Sequence, residues 1–462
     1  MENVWICDPH KNIDKNKIWD PICVELIKQG FWTKVFKRTQ KPSYKEFNQL
    51  KKDYKLPDKI KKMYEVNYEI LLKNRYELLD MLYRKTDWGT DRYNSASFHE
   101  LTNRIRIYYD LAVRSLLKDN ISLVVFWNPP HMGWDLIFYK VATYFKIKTL
   151  LLDQSKFPNR FFHFFHFDDY GTFSTSKRLE NLTKYQIKKK VEKDWFYMKK
   201  NRGVKSTFSL KKLVHFSKYK NKIHYIFEKY DCLCLIRDLC DKKHRSQAFF
   251  RFYVEKNYKS ELKRIISSNY MKNKNYVYFP LHKQPERSTA IWGGIYLDQV
   301  LAIERLSKLL PNDWYIYIKE NPKQVGAYRD NLFFERLKQI PNMIFISEKE
   351  DTFKLMENSK FVATILGTAG WEAITGGINV LIFGWGAWYK TLPGVYEYYE
   401  NMDISNLYKN QIDHEILQKK TAELCNKCGH GIINFRQTNS IQNFSIKKNT
   451  QAVVDSLKRI LY

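Results

Sequence analysis

Small residues and one acid fill a turn in the second half of the chain, where an apolar run ends. Residues 361–365 have the composition of a strand, and Glu372 lies one turn into the helical pattern that follows. The turn between them consists of Gly367, Thr368, Ala369 and Gly370. Small residues let a ligand lie against the backbone, and a helix start favours an anion. We expect the turn to bind a phosphate and Glu372 a ribose; close helix–sheet packing is the alternative.

Two further polar loops follow predicted strands of the same half. His282, Gln284 and Glu286 alternate after a strand at residues 276–280, whereas Lys319 ends the next strand and Asn321 follows it. Loops at the carboxyl ends of parallel strands gather at one ligand site. We therefore expect His282 to contact phosphate or sugar and Lys319 to neutralise a phosphate. The alternatives are a surface loop capped by the acid and an ordinary strand end.

Motifs for other ligands are absent from the sequence. Neither the dinucleotide fingerprint G-x-G-x-x-G nor a P-loop occurs, and there is no Asp-x-Asp metal motif. We expect no bound cofactor and metal-independent chemistry. The seven cysteines are scattered, which predicts reduced thiols, although Cys425, Cys428 and His430 resemble half of a zinc site.

Strands and helices alternate in both halves of the chain, which predicts an α/β fold. Apolar runs separated by helical periods indicate βαβ units, and hence parallel sheets covered on both faces. We predict two Rossmann-like domains, residues 1–175 and 275–462. The last helix of the second domain either stays with that domain or crosses back to the first. The strand at 121–127 should belong to a different sheet from the strand at 361–365.

A basic segment separates the two predicted domains. The chain has 79 Lys and Arg against 49 Asp and Glu, a net charge of +30, and many of these lysines lie between residues 176 and 274. We predict a mostly helical insertion that is either a solvated surface or a face that binds anionic lipid through lysines and aromatic residues. Nucleic acid is not an expected partner, because no recognition motif accompanies the charge.

The sequence contains no apolar stretch of the length that spans a bilayer, and its start lacks the pattern of a signal peptide. We therefore expect a cytoplasmic protein held peripherally at the inner face of the cell membrane.

Several motifs resemble the bacterial capsular polysaccharide biosynthesis family. In the second half they are Tyr278-Phe-Pro-Leu-His-Lys-Gln-Pro-Glu286, Lys319-Glu-Asn-Pro322 and Gly367-Thr-Ala-Gly-Trp-Glu-Ala373. In the first half they are Asn128-Pro-Pro-His-Met-Gly-Trp-Asp135 and Phe157-Pro-Asn-Arg-Phe161. That family comprises glycosyltransferases of surface carbohydrates with a GT-B-like fold, related to the capsule Kdo transferases. The resemblance implies two domains facing a cleft, a nucleotide sugar held mainly by the second, and an oligosaccharide or glycolipid acceptor.

Glycosyl transfer needs a base for the acceptor hydroxyl and stabilisation of the departing phosphate. His131 and Asp135 are the expected bases because they follow the strand at 121–127; helix capping by His131 and a solvated Asp135 are the alternative, and Asp168 with Asp169 is a weaker pair. Related enzymes that use CMP-sugars often have His-Pro where this chain has Asn321-Pro322, which argues against a CMP-linked donor. The alternatives to a glycosyltransferase are a non-catalytic capsule-assembly factor that binds glycan and a nucleotide-sugar epimerase.

Overall fold

The computed structural model describes residues 2–7, 13–38, 44–61, 98–191, 245–267 and 274–462, except 285, 325, 327, 328 and 442. The strands are β1 (Glu2–Cys7), β2 (Trp32–Arg38), β3 (Leu123–Phe126), β4 (Lys148–Gln154), β5 (Arg160–Phe164), β6 (Tyr276–Pro280), β7 (Tyr315–Lys319), β8 (Met343–Ile346), β9 (Phe361–Thr364), β10 (Val380–Ile382), β11 (Val395–Glu397) and β12 (Cys428–His430). They form two separate six-stranded sheets.

Helices flank both sheets. They are α1 (Ile13–Lys28), α2 (Tyr44–Asp53), α3 (Phe98–Lys118), α4 (Trp134–Tyr144), α5 (Arg245–Ile265), α6 (Arg287–Ala290), α7 (Gln299–Leu309), α8 (Asn331–Lys338), α9 (Thr352–Glu357), α10 (Thr368–Thr375), α11 (Ser405–Lys409), α12 (His414–Asn426) and α13 (Ile446–Leu461). Short 3₁₀ helices lie at Phe167–Asp169, Gly294–Leu297 and Phe435–Ser440.

The first sheet has the strand order β12-β5-β4-β3-β1-β2. β2, β1, β3 and β4 are parallel, whereas β5 pairs antiparallel with both β4 and β12. All four residues of β3 are buried, as expected for a central strand covered on both faces.

The second sheet is parallel throughout, in the order β11-β10-β9-β6-β7-β8. Its two halves grow outward from β6 and β9, so the strand order reverses between these two strands. In doubly wound sheets the crevice at this reversal is where ligands bind. The prediction that the strand at 121–127 and the strand at 361–365 lie in different sheets is confirmed.

The end of the chain returns to the first sheet. β12 adds to its edge, and α13 packs against α1 with its apolar face, which includes Val453 and Leu457. Residues 428–462 therefore pack on the first sheet, and the return of the last helix to the first domain is the option that the prediction for residues 275–462 left open.

Most of the basic segment predicted as a helical insertion lies outside the described residues. Within it, α5 is a helix, whereas residues 176–191 form neither helix nor strand. None of the helices in the described part of the chain combines the length and the apolar character that crossing a bilayer demands.

Candidate active site

A cavity of about 660 Å³ lies between the two sheets. The first sheet and the returning C-terminal segment line it with Asn128, His131, Asp153, Gln154, Lys156, Phe162, Tyr170, Asn434 and Gln437. The second sheet and its loops line it with Pro280, Leu281, His282, Lys283, Glu286, Trp292, Asn321, Thr364, Leu366, Gly367, Thr368, Ala369, Gly386 and Trp388. The cavity therefore opens at the loops that follow β6 and β9, where the strand order reverses.

The turn after β9 presents the start of α10 to this cavity. Gly367 caps the helix, and its N–H donates to Thr364 Oγ1 at 3.1 Å. Thr368 and Ala369 follow on the cavity wall. Because the first N–H groups of a helix have no partner within the helix, they can bind an anion. This geometry suits the phosphate expected from the sequence.

His282 lies beside this turn as a buried, neutral imidazole. Burial and then the Arg329 charge lower its pKa to about 4. Nε2 accepts from the Leu366 N–H at 3.4 Å and lies 2.9 Å from Thr364 Oγ1, so we assign the ring proton to Nδ1. At neutral pH, His282 can therefore donate a hydrogen bond to a ligand but cannot supply a charge.

Arg329 holds the His282 loop in place. It lies between Glu320, 3.2 Å from its Nε, and the His282 carbonyl oxygen, which accepts from Nη2 at 2.9 Å. The Gln284 side chain accepts from Arg329 and donates to the Leu297 carbonyl at 2.5 Å. Gln284 was predicted to bind the ligand, but its described contacts tie one loop to another, and it is not among the cavity-lining residues.

Lys319 and Glu372 also point elsewhere. Lys319 Nζ donates to the Glu350 carbonyl at 2.5 Å and to Thr352 Oγ1 at 2.8 Å, which anchors the start of α9. Glu372 is buried in α10 near Tyr389, where burial and then the Glu372 carboxylate raise the pKa of the phenol. Neither residue lines the cavity, whereas Glu286 and Asn321 do.

Gly370 packs against the protein rather than facing the cavity. A Cβ at this position would lie within 2.6 Å of Tyr389 Cζ, and the Tyr389 hydroxyl donates to the Gly367 carbonyl at 2.5 Å. The helix–sheet packing that the sequence left as an alternative thus accounts for this glycine.

We expect Gly370→Ala to lower the free energy of unfolding by about 1–3 kcal/mol, because the new Cβ would overlap the fully buried Tyr389 ring. Urea unfolding measures this change. Unchanged stability with weaker UDP binding would instead place Gly370 against the ligand.

On the opposite wall, His131 lies in the loop after β3. Its Nδ1 is 2.8 Å from the Pro129 carbonyl oxygen. A carbonyl can only accept, so Nδ1 carries the proton, and the neutral ring has its basic nitrogen at Nε2. The Asp135 carboxylate lies 3.9 Å from Nδ1, where it would stabilise a protonated ring.

Asp135 itself is 1% exposed and is not among the cavity-lining residues. Its carboxylate accepts from the backbone N–H groups of His131 at 3.0 Å, Met132 at 2.7 Å and Leu136 at 2.8 Å. It is therefore not solvated, and it shapes the loop that carries His131.

Asp169 belongs to a loop-closing cluster. Although burial raises its pKa, hydrogen bonds from Ser174, Thr172 and Thr175 hold it at about 2. Those bonds fix residues 169–175, and neither Asp168 nor Asp169 lines the cavity.

Asp153 and Lys156 line the first wall and were missed in the sequence. Asp153 lies near the carboxyl end of β4, and its Oδ2 accepts from the Tyr170 hydroxyl at 2.7 Å. The signal that could have found Asp153 is the one used for His282, a polar residue at the end of a predicted strand. Asn434 and Gln437 had no such signal, because they reach the cavity only through the return of the chain.

Among the described residues, no group of three or more His, Cys, Asp or Glu side chains is placed to hold a metal ion. Cys425 and Cys428 are buried free thiols, and burial raises the pKa of Cys425 to about 12. They do not form a zinc site with His430.

The profile of the family described as capsule polysaccharide biosynthesis protein matches residues 176–428, more than half of the chain. The chain belongs to this family. The resemblance found in the sequence is thus confirmed, and the two-sheet architecture is the GT-B-like fold expected from it. No curated protein matches the chain.

Solved structures show a distant likeness to this member of the capsule family. KpsC β-Kdo 2,7-transferase of Thermosulfurimonas dismutans is 10% identical, with 99% of this chain and 100% of that one covered and a TM-score of 0.35. KpsC β-Kdo 2,4-transferase of the same organism is 13% identical, with 65% of this chain and 79% of that one covered and a TM-score of 0.31. UDP-GlcNAc 2-epimerase of Methanocaldococcus jannaschii, in complex with UDP-GlcNAc and UDP, is 12% identical over 92% and 99%, with a TM-score of 0.26. These likenesses are too distant to transfer a residue's role.

Proposed function

We propose that the protein is a glycosyltransferase that moves a sugar from a nucleotide-activated donor to a growing capsular polysaccharide or a glycolipid acceptor. Membership of the capsule family supports the pathway. The observation that best supports a transfer reaction is the cavity between the sheets, because polar groups of both walls face the same space. A transferase needs this arrangement, since donor and acceptor must meet away from bulk water.

The second domain would bind the donor. The N–H groups at the start of α10 and the Nδ1–H of His282 would hold the phosphates by hydrogen bonds, and Lys283 adds a cation to this wall. Asn321 and Glu286 are further candidates for contacts with the nucleotide or the sugar. Leaving-group stabilisation would thus come mainly from oriented dipoles, with metal-independent chemistry as the expectation from the sequence.

The first domain would supply the base. We assign this role to His131, whose Nε2 would take the proton of the acceptor hydroxyl while the hydroxyl oxygen bonds to the anomeric carbon. The bond from that carbon to the phosphate oxygen breaks, and the nucleotide leaves with the electron pair. Asp135 would act as a positioning residue, because it fixes the His131 loop and lies 3.9 Å from Nδ1.

A panel of CMP-, UDP- and GDP-sugars tests the proposal. With a mixture of mono- and oligosaccharide acceptors, we expect one donor to release its nucleotide faster than in buffer and the release to persist in EDTA. Epimerised sugar without transfer would favour an epimerase, and nucleotide-sugar or glycan binding without turnover would favour an assembly factor.

We also propose that the protein is held at the inner face of the cell membrane by its net charge of +30. Vesicles containing phosphatidylglycerol should bind the protein, and binding should weaken as NaCl rises from 50 to 500 mM, because salt screens exposed charges. Sedimentation with vesicles measures this. Equal binding to phosphatidylcholine vesicles would contradict it.

A further inference from the structure

Asp153 faces the cavity from the first wall, and Tyr170 helps to orient it. The Tyr170 hydroxyl donates to Oδ2 at 2.7 Å. Tyr170 follows Asp169, whose hydrogen bonds with Ser174 and Thr175 close the loop. The carboxylate therefore has a defined direction within the cavity that it shares with the charged or titratable groups His131, Lys156, His282, Lys283 and Glu286.

Tyr170 also contacts the second domain. Its ring stacks on Trp292, with centroids 4.0 Å apart and planes 12° apart. The next residue, Gly171, has a φ of +96°, and a Cβ there would clash with the Ala387 carbonyl oxygen of the second domain. Glycine is thus needed both for the backbone conformation and for the close approach. The loop that orients Asp153 therefore packs directly against the second domain.

Trp292 is itself held firmly in the second domain. Its carbonyl oxygen accepts from the Trp385 N–H at 2.9 Å. A Cβ on Gly386 would lie 2.6 Å from Trp292 Cβ, so this glycine leaves the space that the indole occupies. Trp292 lies in the same connection between β6 and α7 as His282 and Glu286, which line the proposed donor site.

We propose that Asp153 is a further catalytic residue of the transfer and that Tyr170, stacked on Trp292 across the two domains, positions it. This inference rests on the proposed function. When the bond between donor sugar and phosphate breaks, positive charge develops on the anomeric carbon, and a carboxylate held toward it stabilises the transition state without forming a bond. Because Tyr170 stacks on Trp292, this stabilisation depends on how the donor-binding domain packs against the first domain.

Steady-state kinetics of nucleotide release, with the donor from the panel that the parent uses, tests the proposal. Asp153→Asn should lower kcat by about 10²–10³-fold. Tyr170→Phe keeps the ring stack but removes the hydroxyl, and should lower kcat about tenfold with KM for the donor within about twofold. Trp292→Leu should lower kcat, and Trp292→Phe should restore most of it.

The deciding measurement is the double variant. Because Tyr170 acts through Asp153, adding Tyr170→Phe to Asp153→Asn should change kcat by less than about twofold. Tyr276→Phe is the matched control: Tyr276 is also a stacked tyrosine, 4.1 Å from Tyr317, with a hydroxyl that donates to a carbonyl oxygen, and it lies outside the cavity. It should leave kcat unchanged.

A parental kcat in Tyr170→Phe, or the same tenfold loss in the Asp153→Asn background, would overturn the inference while leaving transfer intact. No turnover of any donor by the parent would overturn the proposed function and the role of Asp153 with it. Thermal melting of each variant excludes unfolding as the cause of a lower rate.

Discussion

Replacement of His131 with asparagine is expected to lower kcat by about 10²–10⁴-fold, the usual contribution of a positioned general base. Asparagine can still donate to the Pro129 carbonyl, as Nδ1 does at 2.8 Å, but it has no basic nitrogen to take the acceptor proton. Binding of UDP, CMP and GDP, measured by calorimetry, should stay within about twofold of the parent, because the proposed donor contacts lie on the opposite wall.

The control for this variant is His414→Asn. His414 also places a ring nitrogen 2.8 Å from a carbonyl oxygen, that of Ile187, but it does not line the cavity. It should keep the parental kcat. A His131→Asn protein that retains transfer within about threefold of the parent would remove His131 as the base.

Asp135→Asn separates the base from its support. Oδ1 of the buried carboxylate accepts three backbone N–H groups, and the His131 N–H also donates to Oδ2 at 3.0 Å. An amide carries no charge, and its NH2 group in the Oδ2 position would set a donor against the His131 N–H. This variant should therefore lower both the urea midpoint and kcat, whereas His131→Asn lowers kcat alone. Loss of kcat at full stability in Asp135→Asn would mean that the carboxylate acts directly on the acceptor.

The fold was largely predictable because its strands are buried on both faces. A parallel strand between two helical layers must be apolar along its length, so β3, β6 and β9 stand out as runs rich in Val, Phe and Tyr. The sequence predicted β6 to the residue. It missed β5 and β12, because antiparallel strands of only three to five residues show too little periodicity to be recognised.

The position of the site was easier to predict than the side chains that face it. His131, His282 and the turn after β9 were predicted because they lie in loops at strand ends. The structure brings all three to one cavity. Sequence does not tell in which direction a residue at a strand end points. Lys319 turns toward α9 and Gly370 meets Tyr389, while Asp153 faces the cavity.

Burial also determines whether a basic side chain carries a charge. His282 was expected to contact phosphate or sugar, and burial and Arg329 lower its pKa to about 4, so any such contact is made by a neutral ring. Its pKa is depressed below the value in the unfolded chain, so its contribution to stability is present above about pH 6.5 and is lost as pH falls toward 4. No pattern in the sequence around His282 shows that Arg329 lies nearby.

The largest effect on stability is expected from Arg329→Met. Arg329 and Glu320 form an ion pair at 3.2 Å, with side chains 1% and 3% exposed. Removal of one partner leaves the other charge buried without compensation, which destabilises a protein by about 3–5 kcal/mol. It also releases the His282 carbonyl, so the protein that remains folded should bind UDP, CMP or GDP more weakly. Urea unfolding gives the free energy, and calorimetry gives the affinity.

Two comparisons isolate the cause of this loss. Arg305→Met breaks a pair of similar length, 2.7 Å to Glu400, whose side chains are 37% and 66% exposed. It should change stability by less than about 1 kcal/mol, because water screens that pair. Glu320→Gln added to Arg329→Met removes the orphaned buried charge, and should recover part of the stability but not the nucleotide affinity, since the His282 loop stays without its anchor. If Arg329→Met lowered the stability as little as Arg305→Met, the His282 loop, and the donor site with it, would be held by something other than the Arg329–Glu320 ion pair.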